Sequence, residues 1–328
     1  MSSIRSALLR PLFLGLLLAA NALSSNAQTY PDRVVKIIVP NPPGNVGDIV
    51  ARMVAEQLGR TWKQAVIVEN RPGANSMIGV EAAIRAPADG YTLLFSPGGN
   101  ITAASALIPG LAFKPEAELV AVHRGVRVPV WMVVAAGSPY KSLRDVVEAA
   151  KKTPGKLNFW SGGGQSDRPY FALADFQRGA GVELGWVGYK GAADALRELV
   201  GGQLDFAVVG IAPAKPLIDG GRLRVIAMME NQRSSAAPDV ATFAEAGYPG
   251  DYGESWTGVF APKGTPPEIL RKVAADISAA LATPELRARI TAASVDIVES
   301  SPDEAARRTQ VDHLRWSALI QRLNIKLQ

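Results

Sequence analysis

One kind of junction recurs along this chain and constrains its fold more than anything else in it: an apolar strand, a short glycine- and proline-rich turn, and a helix that begins at once. The first instance is VVKIIVPNPPGNVGDIVAR, residues 34–52. Its strand, 34–39, ends in Pro40-Asn41-Pro42-Pro43-Gly44-Asn45. In the helix that follows, Val46, Ile49, Val50, Met53, Val54 and Leu58 fall at the spacing of one buried face, and Gly59 supplies a stop. Such a junction points unpaired backbone N–H groups out of the carboxyl edge of a sheet, where the helix dipole also favours negative charge. No GxxxxGK[ST] is present, so a nucleotide phosphate fits poorly and a carboxylate fits better.

The unit repeats. Strand 65–68 turns through Glu69-Asn70-Arg71-Pro72-Gly73 to a helix near 76–86, and strand 91–95 turns through Ser96-Pro97-Gly98-Gly99-Asn100 to a helix near 101–107. Strand 157–160 runs into Ser161-Gly162-Gly163-Gly164-Gln165-Ser166-Asp167, with a helix from about Pro169. Further strands are expected at 128–134, 186–189, 204–209, 224–229, 255–261 and 295–298. Helices are expected at 143–152, 192–200, 266–281, 284–292 and 302–323, with a short one bracketed by Pro213 and Pro216. This alternation predicts an α/β protein with parallel sheets and ligands at their carboxyl edges. The stretch 119–136 and the strand at 255–261 read as two crossings between lobes.

Residues 1–27 read as a secretory signal, with Arg5 and Arg10 before the apolar run 11–20 and a small-x-small site at Ser25-Asn26-Ala27. The mature chain is then expected from Gln28. Without a cysteine anywhere, disulfides and thiolate chemistry are excluded. The 35 basic residues less Arg5 and Arg10, against 30 acidic ones, leave a charge of +3, too mild for a nucleic-acid partner. About 300 mature residues imply two lobes.

Catalytic equipment is sparse. The two histidines, His123 and His313, have no triad partner pattern, and GESWTG at 253–258 is one residue too long for GxSxG. GxGxxG fails after Gly162 and Gly164, and no cofactor or metal motif is present. Trp160 and Trp186 either wall a cleft or pack in a core. Arg168 has the geometry for a bidentate carboxylate contact, or lies solvated at its helix start. Asp48 and Asp205 are read as loop-holding or capping groups, because a carboxylate repels an anion; Asp205 can still accept from a ligand hydroxyl or a bridging water.

Taken together, the motifs resemble one family closely. IIVPNPPGNVGDIVAR, VENRPGANSMIGVEAA at 68–83, APADGYTLLF at 86–95, PGKLNFWSGGG at 154–164, GYKGAADALRELVGGQLDF at 188–206 and APKGTPPEIL at 261–270 are similar to the extracytoplasmic solute-binding proteins of tripartite tricarboxylate transporters, the Bug family. The resemblance implies a two-lobed periplasmic-binding-protein (Venus-flytrap) fold with two crossing strands, lobe 1 being 28–124 plus 250–328 and lobe 2 being 125–249. It also implies a periplasmic monomer that binds a small carboxylate solute without a cofactor and docks on transporter membrane subunits. Its site would combine Asn41, Pro43, Gly44, Asn45 and Val46 with Ser96, Gly98 and Asn100. From lobe 2 it would take Ser161, Gly163, Gly164, Gln165 and Ser166, and Asp205 from the family's GGQxD motif; Trp160 and Arg168 are added as candidate ligand contacts on their own chemistry. The usual PFPPGG of the first turn is altered at Asn41 and Asn45, and the second-lobe loop departs from the family pattern as well. An exported metal-dependent hydrolase and a sensing partner of a membrane kinase are the competing classes.

Overall fold

The computed structural model describes residues 30–162, 165, 168–234, 237–250 and 252–325. The expected signal sequence lies outside the described residues, and so do Gly163, Gly164 and Ser166 of the second-lobe loop. Among the described residues no helix is long and apolar enough to cross a membrane.

The first sheet begins with β1 (Val35–Val39), β2 (Val66–Asn70) and β3 (Thr92–Pro97), all parallel. Between them run α1 (Val46–Trp62) and α2 (Met77–Ile84); after β3 come the short turns α3 (Gly99–Thr102), α4 (Ala104–Leu107) and α5 (Pro115–Glu118). The chain then makes β4 (Leu119–Arg127) and leaves for a second sheet. That sheet contains β5 (Val130–Ala135), β6 (Asn158–Ser161), β7 (Gly185–Trp186), β8 (Phe206–Gly210) and β9 (Leu223–Met228). Its helices are α6 (Leu143–Lys152), α7 (Arg168–Ala180), α8 (Ala192–Val200) and α9 (Ile211–Asp219). The return is β10 (Trp256–Pro262), followed by α10 (Pro267–Ala282), α11 (Pro284–Ala292), β11 (Asp296–Ile297) and α12 (Pro302–Leu323).

Strand order is β11-β4-β10-β3-β1-β2 in one sheet and β7-β6-β8-β5-β9 in the other. Both are mixed rather than all parallel: β10 runs antiparallel to β3 and β4, and β5 antiparallel to β8 and β9. The antiparallel strands include those that enter each sheet from the other, since a chain arriving from a neighbouring sheet has no crossover helix to turn it round. The two crossings are stitched together, with Val128 N–H donating to Ser255 O at 2.7 Å and Met229 N–H to Val130 O at 2.8 Å.

Apolar side chains of the second sheet alternate between two buried clusters, as the period of a strand requires. Val130, Met132, Phe159, Phe206 and Val208 face α6 and α7, while Trp131, Val133, Trp160, Ala207 and Val209 face α8 and α9. Phe159 and Phe206 stack at 5.5 Å. Both faces being covered explains why these strands read as unbroken apolar runs. Capping boxes at Ser142/Asp145 and Ser301/Glu304 start α6 and α12 where the sequence pattern placed them. Helix α12 reaches beyond its own sheet: Trp316, Leu319 and Ile320 are buried with Phe171 of α7.

Candidate functional site

The turn after β1, the end of β3, the end of β6 and the starts of α8 and α9 converge on one set of adjoining cavities. The innermost, of about 60 Å³, is lined by Asn41, Asn45, Val46 and Gly47 from the first turn and by Pro97. Trp160, Gly162, Pro169, Ala192, Val209, Gly210 and Pro213 of the second sheet, with Val128, Val130, Ser255 and Thr257 of the crossings, complete it. Two wider cavities of about 190 and 350 Å³ share Asn45 and Ala192 with it and extend past Pro42, Lys190 and Gly191.

The first turn is wired differently from an open anion nest. Gly44, at φ +81°, makes the bend. Its N–H donates to Asp48 Oδ2 at 2.9 Å, and Gly47 N–H donates to Asn45 Oδ1 at 2.9 Å, so Asn45 is the side-chain N-cap of α1. Burial drives the Asp48 carboxyl up, but hydrogen bonds from Arg52, the Gly44 amide and Asn70 outweigh it and hold the group below the ordinary carboxylate range. An internal carboxylate and an internal amide therefore take two of the donors that the sequence pattern offered to a ligand. Val46, next in the first turn of α1, lines the inner cavity itself.

On the opposite wall the helix starts are bare. The N-caps of α8 and α9 are Gly191 and Gly210, and neither makes a side-chain cap hydrogen bond. Both residues line the cavities. A Cβ at Gly210 would lie 2.9 Å from Val128 Cγ1 and 3.3 Å from Val46 Cγ2, so glycine here lets the second sheet approach the first. Asn41 is 5% exposed; one end of its amide meets Ser76 Oγ at 3.4 Å and its Oδ1 has no partner among the described residues.

Of the residues expected from the sequence, the structure brings Asn41, Pro43, Gly44, Asn45, Val46 and Trp160 to these cavities. Ser161, at the end of β6, is fully buried, and its Oγ has no partner among the described residues. Others are placed elsewhere. Ser96 and Asn100 are buried against each other at 3.3 Å. Gly98 lies under the indole of Trp256. Gln165 donates to Tyr170 Oη at 3.4 Å. Asp205 sits at the start of β8, where its carboxylate accepts from Asn158 N–H at 2.7 Å and from Tyr140 Oη at 3.4 Å. Asn158 begins β6 and the cavities lie past its end, so Asp205 is at the opposite edge of the sheet from them.

Arg168 opens α7 with its guanidinium turned inward, donating to Met229 O at 3.1 Å, to Tyr252 O, and to Glu230 Oε1 at 2.7 Å. It does not project into the cleft. Glu230 also accepts from Val130 N–H at 3.1 Å, so the pair ties the loop after β6 to both crossings. His123 is sealed in β4. Gly125 N–H donates to its Nδ1 at 2.7 Å, so the ring proton is on Nε2, which stands 3.0 Å from Ser278 Oγ. His313 Nδ1 meets Thr102 O at 2.9 Å, so this side chain is tied to α3 rather than lying free on the polar face. The residues that sequence reasoning missed, Lys190, Gly191 and Gly210, carry one signal: a glycine immediately before a helix that follows a strand.

The sequence profile of the TctC family, described as tripartite tricarboxylate transporter family receptor, matches residues 50–325. The chain belongs to that family. Among curated relatives, BugT of Bordetella pertussis is 30% identical over 318 residues, covering 96% of this chain and 97% of its own. MatC from Rhodopseudomonas palustris, solved with bound malate, is 30% identical with a TM-score of 0.82, covering 89% of this chain and 100% of its own. Another R. palustris protein, solved with adipate, is 27% identical with a TM-score of 0.85, covering 91% of this chain and 100% of its own. This TctC-family chain thus has the fold of periplasmic binding proteins, and its cavities lie where two mixed sheets face each other.

Proposed function

We propose that this TctC-family receptor acts in the periplasm, after removal of residues 1–27. It captures a small carboxylated solute between a lobe of 28–124 plus 250–328 and a lobe of 125–249. It then delivers that solute to the membrane subunits of a tripartite tricarboxylate transporter and catalyses no reaction. The observation that carries this reading is the pair of uncapped helix starts, Gly191 and Gly210, opening onto cavities that the first-sheet turn closes from the other side. Helix N-termini stabilise an anion by about 0.3 to 1 kcal/mol each, so several donors must converge, and a cleft that closes on the solute brings them together. Malate in MatC and adipate in the second R. palustris protein support a carboxylate as the solute. Neither histidine is available as a base near the cavities, since Ser278 and Gly125 hold one and Thr102 the other.

The test is a thermal-shift screen of residues 28–328 against aliphatic dicarboxylates, tricarboxylates, amino acids and aromatic acids. A ligand that binds the folded state alone raises the melting temperature, by roughly RT ln(1 + [L]/Kd) of added stability. A saturable shift with one class of acid is expected. No shift with any acid at millimolar concentration overturns the reading.

A further inference from the structure

The inner cavity takes its wall from separate stretches of chain. Val128 and Val130 lie on the way into the second sheet, Ser255 and Thr257 on the way back, and Gly162 and Pro169 beside the end of β6 and the start of α7. Gly162 is fixed by its own sheet, since its N–H donates to Val208 O at 2.9 Å. Pro169 has no N–H to be fixed by, so the residue before it sets its place. That residue is Arg168, whose guanidinium is buried and donates to Met229 O at 3.1 Å, to Tyr252 O and to Glu230 Oε1 at 2.7 Å.

The three acceptors lie on the returning stretch: Met229 and Glu230 follow β9, and Tyr252 precedes β10. Glu230 carries the tie across to β5 by accepting from Val130 N–H at 3.1 Å, and Met229 N–H donates to Val130 O at 2.8 Å. One buried pair therefore clasps the start of α7, the outgoing crossing and the returning one, and two residues next to it, Val130 and Pro169, line the cavity. A planar guanidinium can hold several acceptors at once in a fixed geometry, which an ammonium group cannot. Replacing a buried ion pair by uncharged groups is often neutral for stability, so stability alone does not account for the pair; fixing a geometry does.

We propose that Arg168 is a positioning residue for solute capture: through Glu230 it locks Pro169 and the two crossings into one wall of the inner cavity, and it touches no solute itself. This rests on the receptor reading and adds how the wall keeps its shape while the lobes move. Hinge closure turns on a few residues that absorb the backbone change, and the clasp withdraws Val130, Met229 and Glu230 from that set. A site must be held within about 0.5 Å of its productive geometry, so a loosened wall weakens capture even when every lining residue is present.

Arg168→Met alone leaves Glu230 buried without its partner and so mixes positioning with stability. The Arg168→Met/Glu230→Gln double variant buries no charge and keeps an acceptor for Val130 N–H, so it should melt close to the unmodified protein. Arg168→Lys is the second variant: it keeps the counter-charge and gives up the fork. Residues 28–328 of each are compared by backbone amide exchange without solute, and by titration with malate, adipate and the acid that gives the largest thermal shift. Exchange at 128–131 and 229–231 should quicken at least about tenfold in the double variant, with β8 unchanged, and affinity should fall about tenfold. Arg168→Lys should move both readouts in the same direction, which keeps the test alive if the double variant melts low. If affinity recovers together with the melting temperature, or if exchange at both segments is unaltered, Arg168 serves the fold alone; the proposal is overturned and the receptor stands. If exchange quickens but the unmodified protein binds no acid, the receptor reading fails and the positioning role fails with it.

Discussion

Arg168 Nη2 stands 2.7 Å from Glu230 Oε1, with the side chains 2% and 3% exposed, and the pair joins the first residue of α7 to the segment where the chain leaves β9. Burial pushes the Glu230 carboxyl up to about 7, against the opposing charge of Arg168 and the N–H of Val130. Between its ordinary 4.5 and that value the folded state keeps a proton that the unfolded chain has lost. The stability it contributes is therefore full below 4.5 and declines as pH rises through 7.

Removing the arginine exposes this directly. Arg168→Met leaves Glu230 buried without a counter-charge and removes the donor to the Met229 and Tyr252 carbonyls. Breaking such a pair costs about 3 to 5 kcal/mol when the remaining group is charged. Urea melts should show the larger loss at pH 8, where Glu230 must ionise or take up a proton from dilute solution, and a smaller one at pH 5, where it is neutral. An equal loss at both pH values would show that Glu230 does not titrate in this range.

His123 gives the opposite slope. Desolvation, and behind it the charge of Arg124, lowers its pKa from 6.5 to about 4. The unfolded chain takes up a proton below pH 6.5 that the folded chain refuses until about 4, so stability is lost as pH falls through that window. The contribution is about 3 kcal/mol. This window overlaps that of Glu230, whose slope has the opposite sign, so replacing His123 by Gln should remove the rise and leave the decline due to Glu230 uncovered between 4.5 and about 7. A variant whose acid slope matches the unmodified protein would remove His123 as its cause.

In the first turn, glycine and asparagine act on the backbone rather than on a ligand. A Cβ at Gly44 would meet nothing within 4 Å, but its φ of +81° penalises a branched side chain. Gly44→Asn should be tolerated, since asparagine visits this region, and Gly44→Val should cost about 1 to 2 kcal/mol and weaken carboxylate binding by misplacing Asn45 and Val46. Asn45→Ala should cost about 1 kcal/mol through the lost cap. Thermal melts and titration of the four proteins check this; equal stability for the Asn and Val variants at Gly44 would contradict it.

Much of this architecture was legible in the sequence, for a local reason. The apolar spacing of α1, the Ser142 and Ser301 caps and the glycines after strands act within a few residues, and the elements they define appear close to where they were read. Strand direction was not legible, because β10 pairs with β3 and β4 only after the chain has returned from the second sheet. Arg168 escaped for the same reason: Glu230 and Tyr252 lie 62 and 84 residues away. Asp205 was read near the start of strand 204–209 and stands there, away from the cavities, because a motif shows that a carboxylate is present but not which edge of a sheet the cavities occupy. Lys190 was visible as part of a helix start, and only the fold sets it opposite Asn41.

Gly98 supplies the sharpest packing test. It was expected to approach a solute, and instead it approaches Trp256: an added Cβ would lie 2.5 Å from Cζ2 and 2.8 Å from Nε1 of the indole. Gly98 N–H also donates to Trp256 O at 2.9 Å, so the two residues are fixed together at the backbone. The indole cannot swing aside cheaply. Its N–H donates to Asp312 Oδ2 at 2.7 Å, Asp312 accepts from Arg308 at 2.9 Å, and both the tryptophan and the aspartate are buried. Gly98→Ala should therefore destabilise by about 1 to 3 kcal/mol through overpacking, and at the N-cap of α3 alanine offers no compensating preference over glycine. The loss should shrink in a Gly98→Ala/Trp256→Phe double variant, where the smaller ring makes room and the coupling appears as non-additivity. A single variant that melts with the unmodified protein would mean that the Trp256 ring is free to move, and that Asp312 does not hold it.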